Sequence, residues 1–186
     1  AAYAHIAEVE PDNKEGNSLI ATTHTKAKRF ADAVAAMEKY IAEKGESVTY
    51  KEYDALADIY IDEALAEGTS EADKVKALEN ADKVYAQIQE KFDYAATYAV
   101  WKRASINHQI NPDVKKGRAL PYYQKYIELI APKEDKTTAE SNKLVTAYTY
   151  LAVHYIQNDK KEEAKANAAK LLEIKPDDQN GQQIMN

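Results

Sequence analysis

The stretch Tyr148-Thr149-Tyr150-Leu151-Ala152-Val153-His154-Tyr155 is followed, after a short turn, by Ala164, Ala168, Leu171 and Pro176. Its aromatic and Leu-Ala positions recur at three- and four-residue steps, which line one face of a helix. Ala164, Ala168 and Leu171 do the same on a second helix, which Pro176 closes. Ala152 and Ala164 are twelve residues apart, and Pro176 follows twelve later. Two antiparallel helices joined by a tight turn bring those alanines face to face. A larger side chain there would force the helices apart.

The pattern recurs upstream. Tyr53, Leu56-Ala57 and Tyr60 precede Ala81, Tyr85 and Ile88, with twenty-four residues between the two alanines. Gly68-Thr69-Ser70 lies in the extra length. Gly68 stops one helix, and Thr69 or Ser70 caps the next, with Glu71 and Asp73 in its first turn. The spacing predicts longer helices around the same turn. A looser copy runs from Trp101 through Ala104-Ser105 and His108 to Ala119, Tyr123 and Tyr126, closed by Pro132. Its Asn111-Pro112-Asp113 turn adds about two residues. Another copy holds Ile20-Ala21, His24, Phe30, Ala33, Met37 and Tyr40, at the twelve-residue spacing. Ile6-Ala7-Glu8-Val9-Glu10-Pro11-Asp12 echoes Leu172-Glu173-Ile174-Lys175-Pro176-Asp177, so the chain is expected to begin inside the second helix of a repeat. The reading is a trailing half-repeat at 1–13, repeats at 14–47, 50–93, 94–132 and 138–177, and a C-terminal cap at 178–186.

These units resemble the tetratricopeptide repeat (TPR) family, in which helix pairs stack so that each repeat buries its apolar face on its neighbours. The resemblance implies an all-α fold, a right-handed α-solenoid of antiparallel helix pairs. Ala119-Leu120-Pro121-Tyr122-Tyr123 and Tyr148-Thr149-Tyr150-Leu151 resemble C-terminal TPR arrays of Bacteroidetes envelope proteins. That narrower likeness implies a periplasmic or envelope setting, with the cytoplasm left open, and no agreed activity.

Composition sets bounds. The 186 residues include five Gly, five Pro and no Cys, with a formal charge of −6. Helix formers dominate. The charge disfavours nucleic acid and anionic membranes as partners. The missing cysteines exclude disulfides, thiol catalysis and Cys-ligated zinc. No apolar run reaches the roughly 18–20 residues of a membrane span.

Candidate chemistry is sparse. His5, His24, His108 and His154 show no metal-ligand spacing, and His24 and His108 stand where other copies have Tyr60 and Tyr155. They read as packed rings. Asp58, Asp62, Glu63, Glu71 and Asp73 read as solvated or capping acids with no nucleophile beside them. Asn111 to Gly117 lacks the acidic spacing of a calcium loop and reads as a turn. No enzyme activity, cofactor or metal is expected. Tyr85, Tyr123, Tyr126, Tyr148 and Tyr155 fall on packing positions. Tyr50, Tyr94, Tyr98, Tyr122 and Tyr150 fall off them and are candidates for exposure, edge-of-core packing being the simpler reading.

In TPR arrays the first helix of each pair lines a groove. By that resemblance the groove holds Thr22 and Lys26 with Ser18 and Thr25, then Asp54, Asp58 and Asp62 with Lys51 and Ile61. It continues through Lys102, Ile106 and Gln109 to Thr149, Val153 and Ile156. Ser18 and Thr22 stand where chaperone-binding members need Lys and Asn to clamp a carboxylate, although Arg103 matches one place. The expected function is a non-catalytic scaffold for a protein or peptide. Carbohydrate binding is the alternative: Trp101 in the core would speak against it, and Tyr94 and Tyr98 lining a shallow groove would support it. Ile184 and Met185 are expected to fold onto the last repeat as a cap. Tyr3 and Ile6 are expected to present an uncovered apolar end through which the chain self-associates.

Overall fold

The computed structural model describes residues 16–186. The half-repeat at 1–13, with Tyr3, His5, Ile6 and the self-association expected there, lies outside the described residues. Among those described there are nine α-helices and no strand. The chain divides into two compact units, the boundary falling between Ala96 and Thr97.

In the first unit, α1 (Gly16–Lys26), α2 (Phe30–Lys44), α3 (Tyr50–Leu65) and α4 (Glu71–Lys91) each pack on the next. Thr49 opens α3 with a capping box, its hydroxyl and Glu52 satisfying the helix's first amides. Ser70 opens α4 by accepting from the amide of Asp73. The extra length between Ala57 and Ala81 becomes a 21-residue α4, as the spacing predicts.

The second unit holds α5 (Ala96–Ile110), α6 (Leu120–Ile130), α7 (Thr138–Gln157), α8 (Lys161–Ile174) and α9 (Gln179–Met185). Pro121 sits in the first turn of α6, where its missing N–H costs nothing. Thr137 and Glu140 form the capping box of α7. One cluster joins Val100, Tyr126, Ile130, Leu144, Tyr148 and Leu171; a second joins Ala104, Ala119, Tyr123, Ala147, Tyr150 and Leu151.

The repeat alanines are core both at the twelve-residue spacing of the first and fourth copies and at the longer spacings of the other two. Ala21, Ala33, Ala57, Ala81, Ala119, Ala152 and Ala164 are all 0 % exposed. In the third copy Ala104 takes that depth, and Ser105 is half-buried.

The turns show the repeat in the backbone. Lys28 (φ 57°) and Asp159 (φ 58°) are the two non-glycine residues at positive φ among those described. They occupy the same place in the first and fourth copies, seven residues after Ala21 and Ala152. Their hydrogen bonds match as well: Lys28 N donates to Thr25 O and Arg29 N to His24 O, while Asp159 N donates to Ile156 O and Lys160 N to Tyr155 O.

Tyr150 takes the core packing that is the simpler reading: it is 5 % exposed, because α7 is covered on both flanks by α6 and α8. One expectation is corrected. At the C-terminus, Met185 stays 40 % exposed and only Ile184 is partly covered. The contact is made instead by buried Gly181, whose missing Cβ lets α9 approach Leu171 and Leu172.

Candidate binding clefts

Clefts open beside the first helices at three places, and the repeat register relates them. In the first unit, Thr22, Thr25 and Lys26 of α1 face Ala55, Asp58, Ile59 and Asp62 of α3 over Met37, around a cleft of about 260 Å³. In the second unit, His108 of α5 and Val114 face Val145, Thr146, Thr149, Tyr150 and Val153 of α7 over Tyr123, around about 340 Å³. Met37 and Tyr123 are each four residues beyond their repeat alanine, Ala33 and Ala119. Ala55 and Tyr150 each follow the repeat tyrosine by two, and Asp58 and Val153 follow it by five. The third cleft, about 460 Å³, lies between Val153 and Ile156 of α7, Lys161 and Lys165 of α8, and Asn180, Gln183 and Ile184 of α9. Val153 and Ile156 match Thr22 and Thr25 in the repeat.

The structure therefore gathers Thr22, Lys26, Asp58 and Asp62 in one cleft, Thr149 and Val153 in another, and Val153 and Ile156 in a third. Asp54 is elsewhere: Tyr85 Oη donates to its Oδ1 at 2.8 Å, tying α3 to α4. Lys102 lies with its Nζ 5.5 Å from the centre of the Tyr98 ring. Gln109 is exposed and borders none of the three clefts. Ile106, expected in the groove, is 2 % exposed and is core. The buried positions of α5 run through Ala99, Val100, Ala104, Ile106 and Asn107, an arc too wide to leave Ile106 facing out.

The chemistry of the clefts differs. The first sets two carboxylates and one lysine among apolar Met37, Ala55 and Ile59. The second is apolar and floored by phenols. Burial, and then Tyr150 beside it, push the Tyr123 hydroxyl up to about 12, and burial also raises Tyr150, so both stay protonated. The rings of Tyr123 and Tyr150 lie 4.7 Å apart, and His108 stands edge-on to Tyr150 at 5.5 Å. His108 Nδ1 is buried without a hydrogen-bond partner among the described residues. The sequence concealed this grouping because α5, α6 and α7 contribute one residue each.

The Asn111–Gly117 turn is docked. His154 Nδ1 lies 2.8 Å from Val114 O, and Asn158 Nδ2 donates to Lys115 O at 3.0 Å. His154 thus holds the loop that supplies Val114 to the second cleft. No group of three or more His, Asp or Glu residues is placed to hold a metal among the described residues. None of the described helices is long and apolar enough to cross a membrane.

No protein-family model matches the chain, and no curated protein matches it. Among solved structures, it is similar to the C-terminal part of a TPR repeat-containing protein from Cytophaga hutchinsonii, a member of the Bacteroidetes. The TM-score is 0.70 at 23 % identity, over 99 % of this chain and 64 % of that one. The chain thus spans less than two thirds of that structure's length. The likeness is one of fold: the chain is all-α, built of TPR-like helix pairs.

Proposed function

We propose that this chain is a non-catalytic scaffold that holds a protein or peptide against the faces of its first helices. The observation carrying this reading is the recurrence of clefts at equivalent repeat positions, each with different chemistry. Within each unit a preformed cleft suits an extended or helical segment, because ordering costs are borne by the fold before binding. A photo-crosslinking residue at Thr149 should capture a partner, and Val153→Asp should reduce that capture. Equal capture from a control position at Lys125, on the exposed face of α6, would sink the proposal.

A carbohydrate reading rests on Tyr94, which is 72 % exposed, with Tyr50 and Phe92 edge-on at 5.8 and 6.0 Å. Such rings stack on sugars. Against it, Trp101 packs on Tyr123 and Tyr126 at 5.8 and 5.0 Å and so serves the core. Tyrosine fluorescence titrated with soluble oligosaccharides should respond in the parent and not in Tyr94→Ala. No response in the parent removes this reading.

A further inference from the structure

The first unit has a second opening, on the faces of its second helices. α2 and α4 both pack on α3, and the space between them is incompletely filled. Two adjoining clefts of about 390 and 290 Å³ run along it and share Glu38, Tyr60 and Asn80. One wall is α2, with Ala31, Val34, Ala35 and Glu38 at helical steps and Ile41 beyond. The other wall is α4, with Lys76, Ala77, Asn80 and Lys83 at the same kind of step. Tyr60 of α3 lies half-buried between them.

Three features define what would fit. Both walls are helical ridges, with exposed Ala31 and Ala35 on α2 and buried Ala77 on α4, which admit a third helix by ridge-and-groove packing and offer no strand edge to an extended chain. From Ala31 to Ile41 the α2 wall is roughly 15 Å long, about three helical turns. Five charged residues line the two clefts: Glu38, Glu63, Asp73, Lys76 and Lys83. Glu38 and Glu63 line the groove around Tyr60, and after burial both carboxylates raise its phenol above the ordinary value. Among the described residues neither carboxylate forms an ion pair or side-chain hydrogen bond. Of the other groups, Asp73 accepts from Ser70 Oγ at 2.6 Å, Lys83 donates to Asn80 at 3.2 Å, and Lys76 lines the same cleft as the two glutamates.

We propose that the α2–α4 groove docks a helical segment of another protein, setting one lysine or arginine between Glu38 and Glu63 over the Tyr60 ring, with small and aliphatic residues on either side. A cation there meets two unengaged carboxylates and an aromatic face. This site lies on other helix faces than the clefts of the proposed function and stands or falls apart from them.

The test uses a capped, alanine-rich helical peptide of roughly 15 residues with leucines flanking one central arginine. It is titrated into isotope-labelled protein. Amide shifts are expected along Ala31–Ile41 and Lys76–Gln87. Affinity should fall about fivefold when the peptide arginine becomes glutamine, and again in the Glu38→Gln, Glu63→Gln double variant. Ala35→Trp, confirmed as folded by circular dichroism, should abolish binding by filling the groove. No shift, shifts confined to the Thr22, Asp58 and Asp62 face, or an unchanged affinity in the double variant would each overturn the proposal. A protein that sediments as a dimer, and as a monomer once Ala35→Trp is made, would overturn it in favour of a second copy of this chain.

Discussion

Gly117 lies against the ring of His154: a Cβ added to it would sit 2.6 Å from the imidazole Cε1. The glycine is also at φ +68°, closing the short helical turn Val114–Lys116, so two separate constraints meet at one residue. His154 cannot retreat freely, because its Nδ1 is fixed 2.8 Å from Val114 O.

Gly117→Ala should therefore cost about 1–3 kcal/mol, combining left-handed backbone strain with the displaced ring. Gly68 is the internal control. It has φ +87° and nothing within 4 Å of an added Cβ, so Gly68→Ala should show the backbone cost alone, about 1–2 kcal/mol. Urea unfolding followed by circular dichroism measures both. Equal losses in the two variants would show that the contact with His154 adds nothing.

Ala152→Leu tests the helix register. Ala152 is 0 % exposed, and added methylenes there overpack the pairing of α7 with α8 at a cost of about 1–3 kcal/mol. An unchanged unfolding midpoint would mean this position tolerates volume, contrary to its burial.

Tyr85→Phe keeps the packing of a fully buried ring and deletes its hydrogen bond to Asp54. Losing a bond to a charged acceptor should cost about 1.5–3 kcal/mol. A loss below about 0.5 kcal/mol would mean that water replaces the phenol without penalty.

The first unit should lose stability in acid through Glu52. Burial raises its carboxyl, but hydrogen bonds from Lys44 and Thr49 outweigh this and hold it at about 2, below its ordinary 4.5. Its contribution is complete above pH 4.5 and is lost as pH falls through about 2. Glu52→Gln should be less stable at neutral pH, with the gap to the parent narrowing between those values. Urea midpoints at pH 6, 4, 3 and 2 report this. A gap that stays constant across the series would remove the Lys44–Glu52 pair from the account.

Gly181→Val should detach α9 without unfolding the unit. An ideal Cβ at this position already lies 3.0 Å from Leu172 Cδ2, and valine adds two methyl groups. Hydrogen exchange should quicken in Gln179–Met185 and stay unchanged in α7. Unchanged protection throughout would show that the leucines make room.

The sequence by itself determined the helix pairs, the alanine contacts, the long α4 and the cap at Ser70. Each depends on residues close in the chain, where helical periodicity and capping chemistry act locally. Thr22, Lys26, Asp58, Asp62, Thr149, Val153 and Ile156 line clefts in the structure, and a groove function for them stays part of the proposal. Only the tertiary structure decided what each helix is covered by. Ile106 and Tyr150 are buried because their helices are enclosed on more than the one face that periodicity marks. Gly181 reads as a weak point in a helix and serves as a contact, since its value lies in the distance to Leu172. His154 reads as a packed ring and also holds a loop forty residues away. The grouping of His108, Tyr123 and Tyr150, and the groove around Tyr60, arise where three helices meet. That meeting depends on packing between distant segments, which no local pattern in the chain encodes.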